Sequence, residues 1–242
     1  YTYMPSEYSN KFRMPAVLTN GTVEGAIVLN LYDETLVREV NRLNIPKVFL
    51  DIVPQIDFYD LKGDLILLEG YNTTYQITRS VVEKGLKDIG FIGDIRYAQT
   101  NQDRYEGFCH CMKDYNIPVR EKFCLTHRIG IFSYTKEITR FLDSLDVLPE
   151  AFICVSDYIA HILQLYFEEH QRRIPRGIVV TGYDGRTEYD VVRMITTADV
   201  KTEFIGKRLA LQIIYRMEHM DAPYEKTYIA PSVVYRDSLL YG

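Results

Sequence analysis

The sequence predicts an α/β fold built on parallel sheets, and three observations predict it. Apolar runs of strand length alternate with amphipathic helical stretches from residue 23 to residue 219, the pattern of parallel strands covered by helices on both faces. Ile-Pro pairs at Ile45-Pro46, Ile117-Pro118 and Ile174-Pro175 each close a helix and lead into a strand, because the residue before proline disfavours the α region. At 242 residues and 47% hydrophobic content, the chain is long enough for two modest lobes.

The elements follow in order. VEGAIVLN (23–30) is a continuous apolar strand, and DETLVREVNRLN (33–44) places Leu36, Val37, Val40 and Leu43 on one helical face. The alternation repeats with strand KVFLD (47–51), strand DLILLE (64–69), a helix from about Thr74 to Lys84, and strand DIGFIGD (88–94). A second series begins with a helix over 101–115. It continues with strand REKFCLT (120–126), helix 134–145, strand AFICVS (151–156), helix 157–170 and strand GIVVTGYD (177–184). The last third is less regular: ITTADV (195–200), a helix from Glu203 to about His219, and a strand pair or bent strand over 226–238. No low-complexity tract or linker-like shift interrupts the two series, so short strands are expected to join them.

Composition excludes several function classes. A net charge of -5 with both signs interspersed provides no footprint for a phosphate backbone, and the twenty tyrosines form no basic-aromatic stripe for stacking on bases. No run approaches roughly 18 apolar residues, so no membrane span is expected. No charged-then-apolar leader opens the chain, and a start at Tyr1-Thr2-Tyr3 reads as a fragment. Cys109, Cys111, Cys124 and Cys154 sit in apolar stretches without paired C-x-x-C spacing, which reads as buried, reduced thiols. Cys109, His110 and Cys111 imitate a metal cluster, but on a helix the two sulfurs point about 200° apart, so no metal is expected. There is no G-x-G-x-x-G after a first strand and no P-loop. None of His110, His127, His161, His170 and His219 adjoins a candidate nucleophile, so neither catalysis nor a cofactor is expected.

The residues also carry an ordered resemblance. VEGAIVLN, IPKVFLD, EKGLKDIGFIGD, RYEGF, AFICVSDYIA, IPRGIVVTGYDG, ITTADV, EFIGKRLALQII and YRDS, from about residue 23 to 238, resemble the successive signatures of the lactose-repressor (LacI/GalR) family. The resemblance implies an effector-binding domain of the periplasmic-binding-protein-like type I fold. Two Rossmann-like lobes would be joined by three crossover strands, with a small ligand in the cleft. It would place residues 1–95 and 203–225 in an N-terminal lobe and residues 96–202 and 226–242 in a C-terminal lobe. That N-terminal lobe would lack the family's first strand and helix, and the stretch given would lack the DNA-binding head. Open parallel sheets independently favour ligands beyond the carboxyl ends of their strands.

The resemblance also nominates residues. Asp184, just past its strand between Gly182 and Gly185, matches an aspartate that accepts hydrogen bonds from ligand hydroxyls; alone, it reads equally as a turn residue with glycines leaving room nearby. Arg104, opening RYEGF, offers a fork of donors suited to vicinal hydroxyls or a carboxylate, against the reading of an exposed helix Arg. Asp51 ends KVFLD and would face the cleft from the N-terminal lobe. Glu69, Gly70 and Tyr71 stand where relatives carry Asp-Asn and an aromatic or polar residue, a departure that changes the contacts there. Phe132 would pack on a sugar ring or sit in a core, Ser156 and Asp157 form a pair in which Asp157 is either ligand or N-cap, and Thr100 is a polar neighbour of Arg104. Together these suit a mono- or disaccharide, with nucleobases as the other class that relatives hold. The implied protein is a cytoplasmic, homodimeric transcriptional regulator that reaches operator DNA through a helix-turn-helix. The alternative is an exported sugar-binding protein serving a transporter.

Overall fold

The computed structural model describes residues 2–170 and 177–236. Ile174-Pro175, and Asp237 and Ser238 of the closing YRDS, lie outside the described residues. The chain runs through β1 (Ala26–Leu29), α1 (Glu34–Asn41), β2 (Lys47–Leu50), β3 (Asp64–Leu68), α2 (Tyr71–Val82), β4 (Ile89–Ile92), α3 (Gln99–Asp114) and β5 (Cys124–Leu125). It continues with α4 (Tyr134–Asp143), β6 (Ala151–Cys154), α5 (Asp157–Glu169), β7 (Val179–Thr181), β8 (Thr197–Asp199), α6 (Thr202–Glu218), β9 (Lys226–Ile229) and β10 (Ser232–Val234). Two compact units result. Unit 1 takes the residues up to 68 with 97–99 and 201–229, and unit 2 takes 69–96, 100–200 and those from 230 onward.

In unit 1 four parallel strands lie in the order β1-β2-β3-β9. Strand alternation separates two apolar layers: Phe49, Leu65 and Leu67 pack with Leu36, Val37 and Val40 of α1, whereas Val48 and Ile66 pack with Ile205, Leu209 and Ile213 of α6. Asp33 starts α1 by accepting the Leu36 amide at 2.9 Å. β1 is an edge strand of this sheet, with Ile27 and Leu29 exposed.

Unit 2 has parallel strands in the order β5-β4-β6-β7, with β8 and β10 forming an antiparallel pair. Its core is larger, with Phe91, Phe108, Phe152 and Phe167 fully buried among aliphatic side chains. Burial pushes the thiols of Cys111 and Cys124 up to about 11, so both stay protonated near neutral pH. Among the described residues, no helix is long and apolar enough to cross a membrane.

Several expected boundaries change. The first lobe ends at residue 68, not 95, because Ile77, Val81 and Val82 of α2 pack into the same core as Phe91 of β4 and Phe152 of β6. Residues 226–229 belong to unit 1, since β9 hydrogen-bonds β3. The expected strand pair over 226–238 is instead two strands, one in each unit's sheets. The strand expected over 120–126 shrinks to two residues behind a short 3-10 turn at Glu121–Phe123.

Candidate functional site

Unit 2 changes winding direction between β4 and β6. The connection through α3 carries the chain from β4 to β5 on one side, while β6 pairs with the other side of β4. Beyond the carboxyl ends of such strands, diverging connections leave a crevice. Arg104, on α3, reaches this point by donating from Nη1 to the carbonyl of Val155, just after β6, at 2.6 Å. It is 5% exposed, which excludes the surface-arginine reading. Its guanidinium carbon lies 3.6 Å from the centroid of the Tyr183 ring, a stacked cation on an aromatic face. Tyr183 is held there by its hydroxyl, which donates to the carbonyl of Glu69 at 2.8 Å, and burial raises its pKa to about 12. Among the described residues, Nε of Arg104 is buried with no hydrogen-bond partner.

Asp184 follows Tyr183 with φ of 113°, a conformation that favours glycine. Its backbone is fixed to the extension of β8: the amide donates to the carbonyl of Ala198 at 2.9 Å, and the carbonyl accepts from Val200 at 3.4 Å. No hydrogen bond among the described residues occupies its carboxylate. Burial pushes that carboxyl up to about 7 and Asp157 adds to the rise, while Arg104 and Arg186 oppose it. Together, a half-buried acid that takes no hydrogen bond among the described residues and a buried guanidinium with an open donor can accept and donate ligand hydrogen bonds.

The glycines around Asp184 serve the protein's own atoms, which corrects the expectation of open clearance. A Cβ on Gly182 would lie 2.1 Å from Oδ1 of Asp157, and one on Gly185 would lie 2.8 Å from Cα of Asp199. Asp157 is fully buried. Its carboxylate accepts from Oγ1 of Thr197 at 2.6 Å and from the Arg186 amide at 2.7 Å, with the Gly185 amide as a further donor. It therefore positions the 182–186 turn. The N-cap of α5 is Ser156, one residue before the expected cap, whose hydroxyl accepts from the Ile159 amide at 3.3 Å.

Glu69 is engaged as a helix cap. Its carboxylate accepts the amides of Asn72 at 2.7 Å and Thr73 at 2.9 Å, which starts α2 three residues earlier than expected. Gly70 is small because a Cβ there would meet Cγ of Arg104 and the Thr100 carbonyl, each at 2.9 Å. The departure at Glu69-Gly70 thus seats Arg104. Thr100 is buried on the first turn of α3. The Tyr71 hydroxyl instead pairs with Nδ1 of His110 at 2.6 Å, on an exposed face of α2 and α3. Phe132 is 98% exposed in the loop before α4, which rules out the core reading and leaves its ring without packing. Asp51 belongs to unit 1, where it follows β2 with φ of 61° and accepts its neighbour's amide, that of Ile52, at 2.8 Å. Unit 1 also has a cavity of about 300 Å³ beside Ile52 and residues 54–58, lined by none of the predicted site residues.

The structure therefore brings Arg104 and Asp184 together with Ser156, Asp157, Thr100 and the Glu69 backbone in one unit. It sets Tyr71 and Phe132 apart from them. Tyr183 went unselected in the sequence although it stands inside the quoted G-Y-D motif. Its polar tip next to a buried strand was the available signal.

A family model described as a periplasmic binding protein-like domain matches residues 78–239, more than half of the chain. The chain belongs to this family. The proteins it is similar to carry the names of transcriptional regulators, among them LacI family members, the kind the ordered motifs resemble. It is 29% identical over 181 residues to the HTH-type transcriptional repressor PurR of Actinobacillus pleuropneumoniae serotype 3, covering 74% of this chain and 52% of that protein. The chain thus spans about half the length of this curated relative. Among solved structures, a transcriptional regulator CelR–cellobiose complex superposes with a TM-score of 0.78 at 17% identity, covering 92% of this chain and 68% of that one. A LacI family transcriptional regulator from Enterococcus faecium with bound ribose superposes with a TM-score of 0.73 at 20% identity, covering 93% and 82%.

Proposed function

We propose that this domain is the sensor of a transcriptional regulator and binds a small carbohydrate at the carboxyl end of the unit 2 sheet. The reading rests on one observation: the Asp184 carboxylate, which takes no hydrogen bond among the described residues, and the unpartnered Arg104 Nε lie on either side of Tyr183, the first as its chain neighbour and the second stacked on its ring. Hydroxyls donate to the aspartate and accept from the arginine, so a polyol satisfies both. The cellobiose and ribose named for two structural neighbours support the same class. In the full-length protein, a homodimer grips operator DNA through a helix-turn-helix, and ligand biases the arrangement that reaches it. The decisive test is operator affinity of the full-length protein against ligand concentration. A shift that saturates with site occupancy is expected, and an operator affinity unchanged at full occupancy contradicts the reading.

The elevated Asp184 pKa sets a pH dependence. The folded protein holds this proton to about pH 7, whereas an unfolded aspartate releases it near pH 4, so the group lowers stability as pH rises across that window. A sugar hydroxyl donates to the ionised form and draws the pKa back down. Affinity should therefore rise between pH 5.5 and about 7 and then level off, with a proton released on binding below pH 7. Calorimetry in buffers of different ionisation enthalpy measures that proton; no release at pH 6 contradicts the assignment.

A further inference from the structure

We propose that a second cavity, in unit 1 and distinct from the Arg104 and Asp184 site, binds a small oxyanion through Lys47. The cavity has a volume of about 170 Å³ and is lined by Lys47, Lys62, Arg216, Met220 and Tyr224 together with the 43–46 turn. Sites for drug-sized ligands begin at roughly 300 Å³, so this one suits a single phosphate or sulfate group better than a sugar.

The charges around it are unbalanced. Lys47, the first residue of β2, is only 2% exposed, yet no carboxylate among the described residues pairs with it. Its ammonium donates to the carbonyls of Leu43 at 2.6 Å and Ile45 at 2.9 Å, which leaves the third of its three N–H donors open. Lys62 is exposed and likewise has no ion pair among the described residues. Arg216 is committed to Asp64 at 2.6 Å, and Glu225 behind it accepts from Gln212. Burial, and then Lys62, push the Lys47 ammonium down to about 8. An oxyanion in the cavity relieves both causes, because it returns a hydrogen-bond acceptor to a desolvated amine and a negative charge to two adjacent cations. Lys47 also holds the turn that follows α1, but that role uses two of its protons and accounts for neither the cavity nor the second lysine.

Inorganic phosphate is the probe, titrated at low ionic strength and pH 7 by calorimetry, with the Lys47 ε-carbon followed by NMR in 13C-lysine protein. Saturable one-site binding is expected, with the Lys47 pKa rising when phosphate is bound and affinity falling between pH 7 and pH 9. Lys47→Met should abolish binding, and Lys62→Ala, at an exposed position that keeps folding intact, should weaken it about tenfold. Non-saturating binding, or binding equal in wild type and Lys62→Ala, overturns the proposal. Because the cavity lies in unit 1, either result leaves the sugar reading of unit 2 to stand or fall on its own test.

Discussion

Arg216→Met is expected to destabilise the domain by about 3–5 kcal/mol, measured as a lower urea midpoint with an unchanged slope. The size follows from what the substitution strands. Asp64, at the start of β3, accepts from Arg216 Nη2 at 2.6 Å and Nε at 3.1 Å, from Gln212 at 2.7 Å and from the Glu225 amide at 2.9 Å. Arg216 in turn donates to the carbonyls of Ala222 at 2.6 Å and Pro223 at 2.8 Å. Both side chains are at most 2% exposed, so losing the arginine leaves a buried carboxylate without its counter-charge and two turn carbonyls without a donor. The double replacement Asp64→Leu with Arg216→Met should recover much of the loss, since removing both charges removes the stranded one. The exposed pair Arg79–Glu83 provides the contrast: Arg79→Ala should leave the urea midpoint nearly unchanged.

Asp157→Ala should be nearly as costly, at about 2–4 kcal/mol, and should also weaken ligand binding with Arg104 and Asp184 intact. Its carboxylate gathers the Thr197 hydroxyl and the amides of Arg186 and Gly185, which join α5, the Asp184 turn and β8. Alanine leaves these donors buried and frees the turn that aims Asp184. Asp157→Asn keeps the shape but turns one acceptor into a donor facing other donors, so an intermediate loss is expected. Thermal unfolding and ligand affinity measured on the same three proteins check both parts. Full affinity in a destabilised Asp157→Ala would show that the turn does not depend on this carboxylate.

The alternation of strands and helices was legible because each element repeats a simple period: apolar runs for strands buried on two faces, and positions such as Leu36, Val37 and Val40 for a helix with one buried face. What periodicity omits is the partner. The buried face of α2 is plain in the sequence, but nothing local says that Ile77 and Val81 meet Phe91, so the boundary between units fell at 95 instead of 68. Arg104 and Asp184 were nominated by motif order, and both fall in unit 2. The helix cap offered at Asp157 falls one residue earlier, at Ser156, because both residue types cap helices and only backbone angles decide which does. Glu69 was misread for a related reason: a glutamate reaching forward to two amides resembles no common cap, whereas its carboxylate resembles a ligand group. Phe132 failed because an apolar residue in an irregular loop has no period to place its face.

The most direct measurement is calorimetric titration of the best ligand from a sugar and nucleoside panel into wild type, Arg104→Ala and Asp184→Ala, each first shown to be folded. Loss of about 100-fold in affinity, near 2.7 kcal/mol, is expected in each variant, as fits a charged hydrogen bond removed from a buried site. A folded Arg104→Ala or Asp184→Ala that binds the same ligand as tightly as wild type would contradict the account.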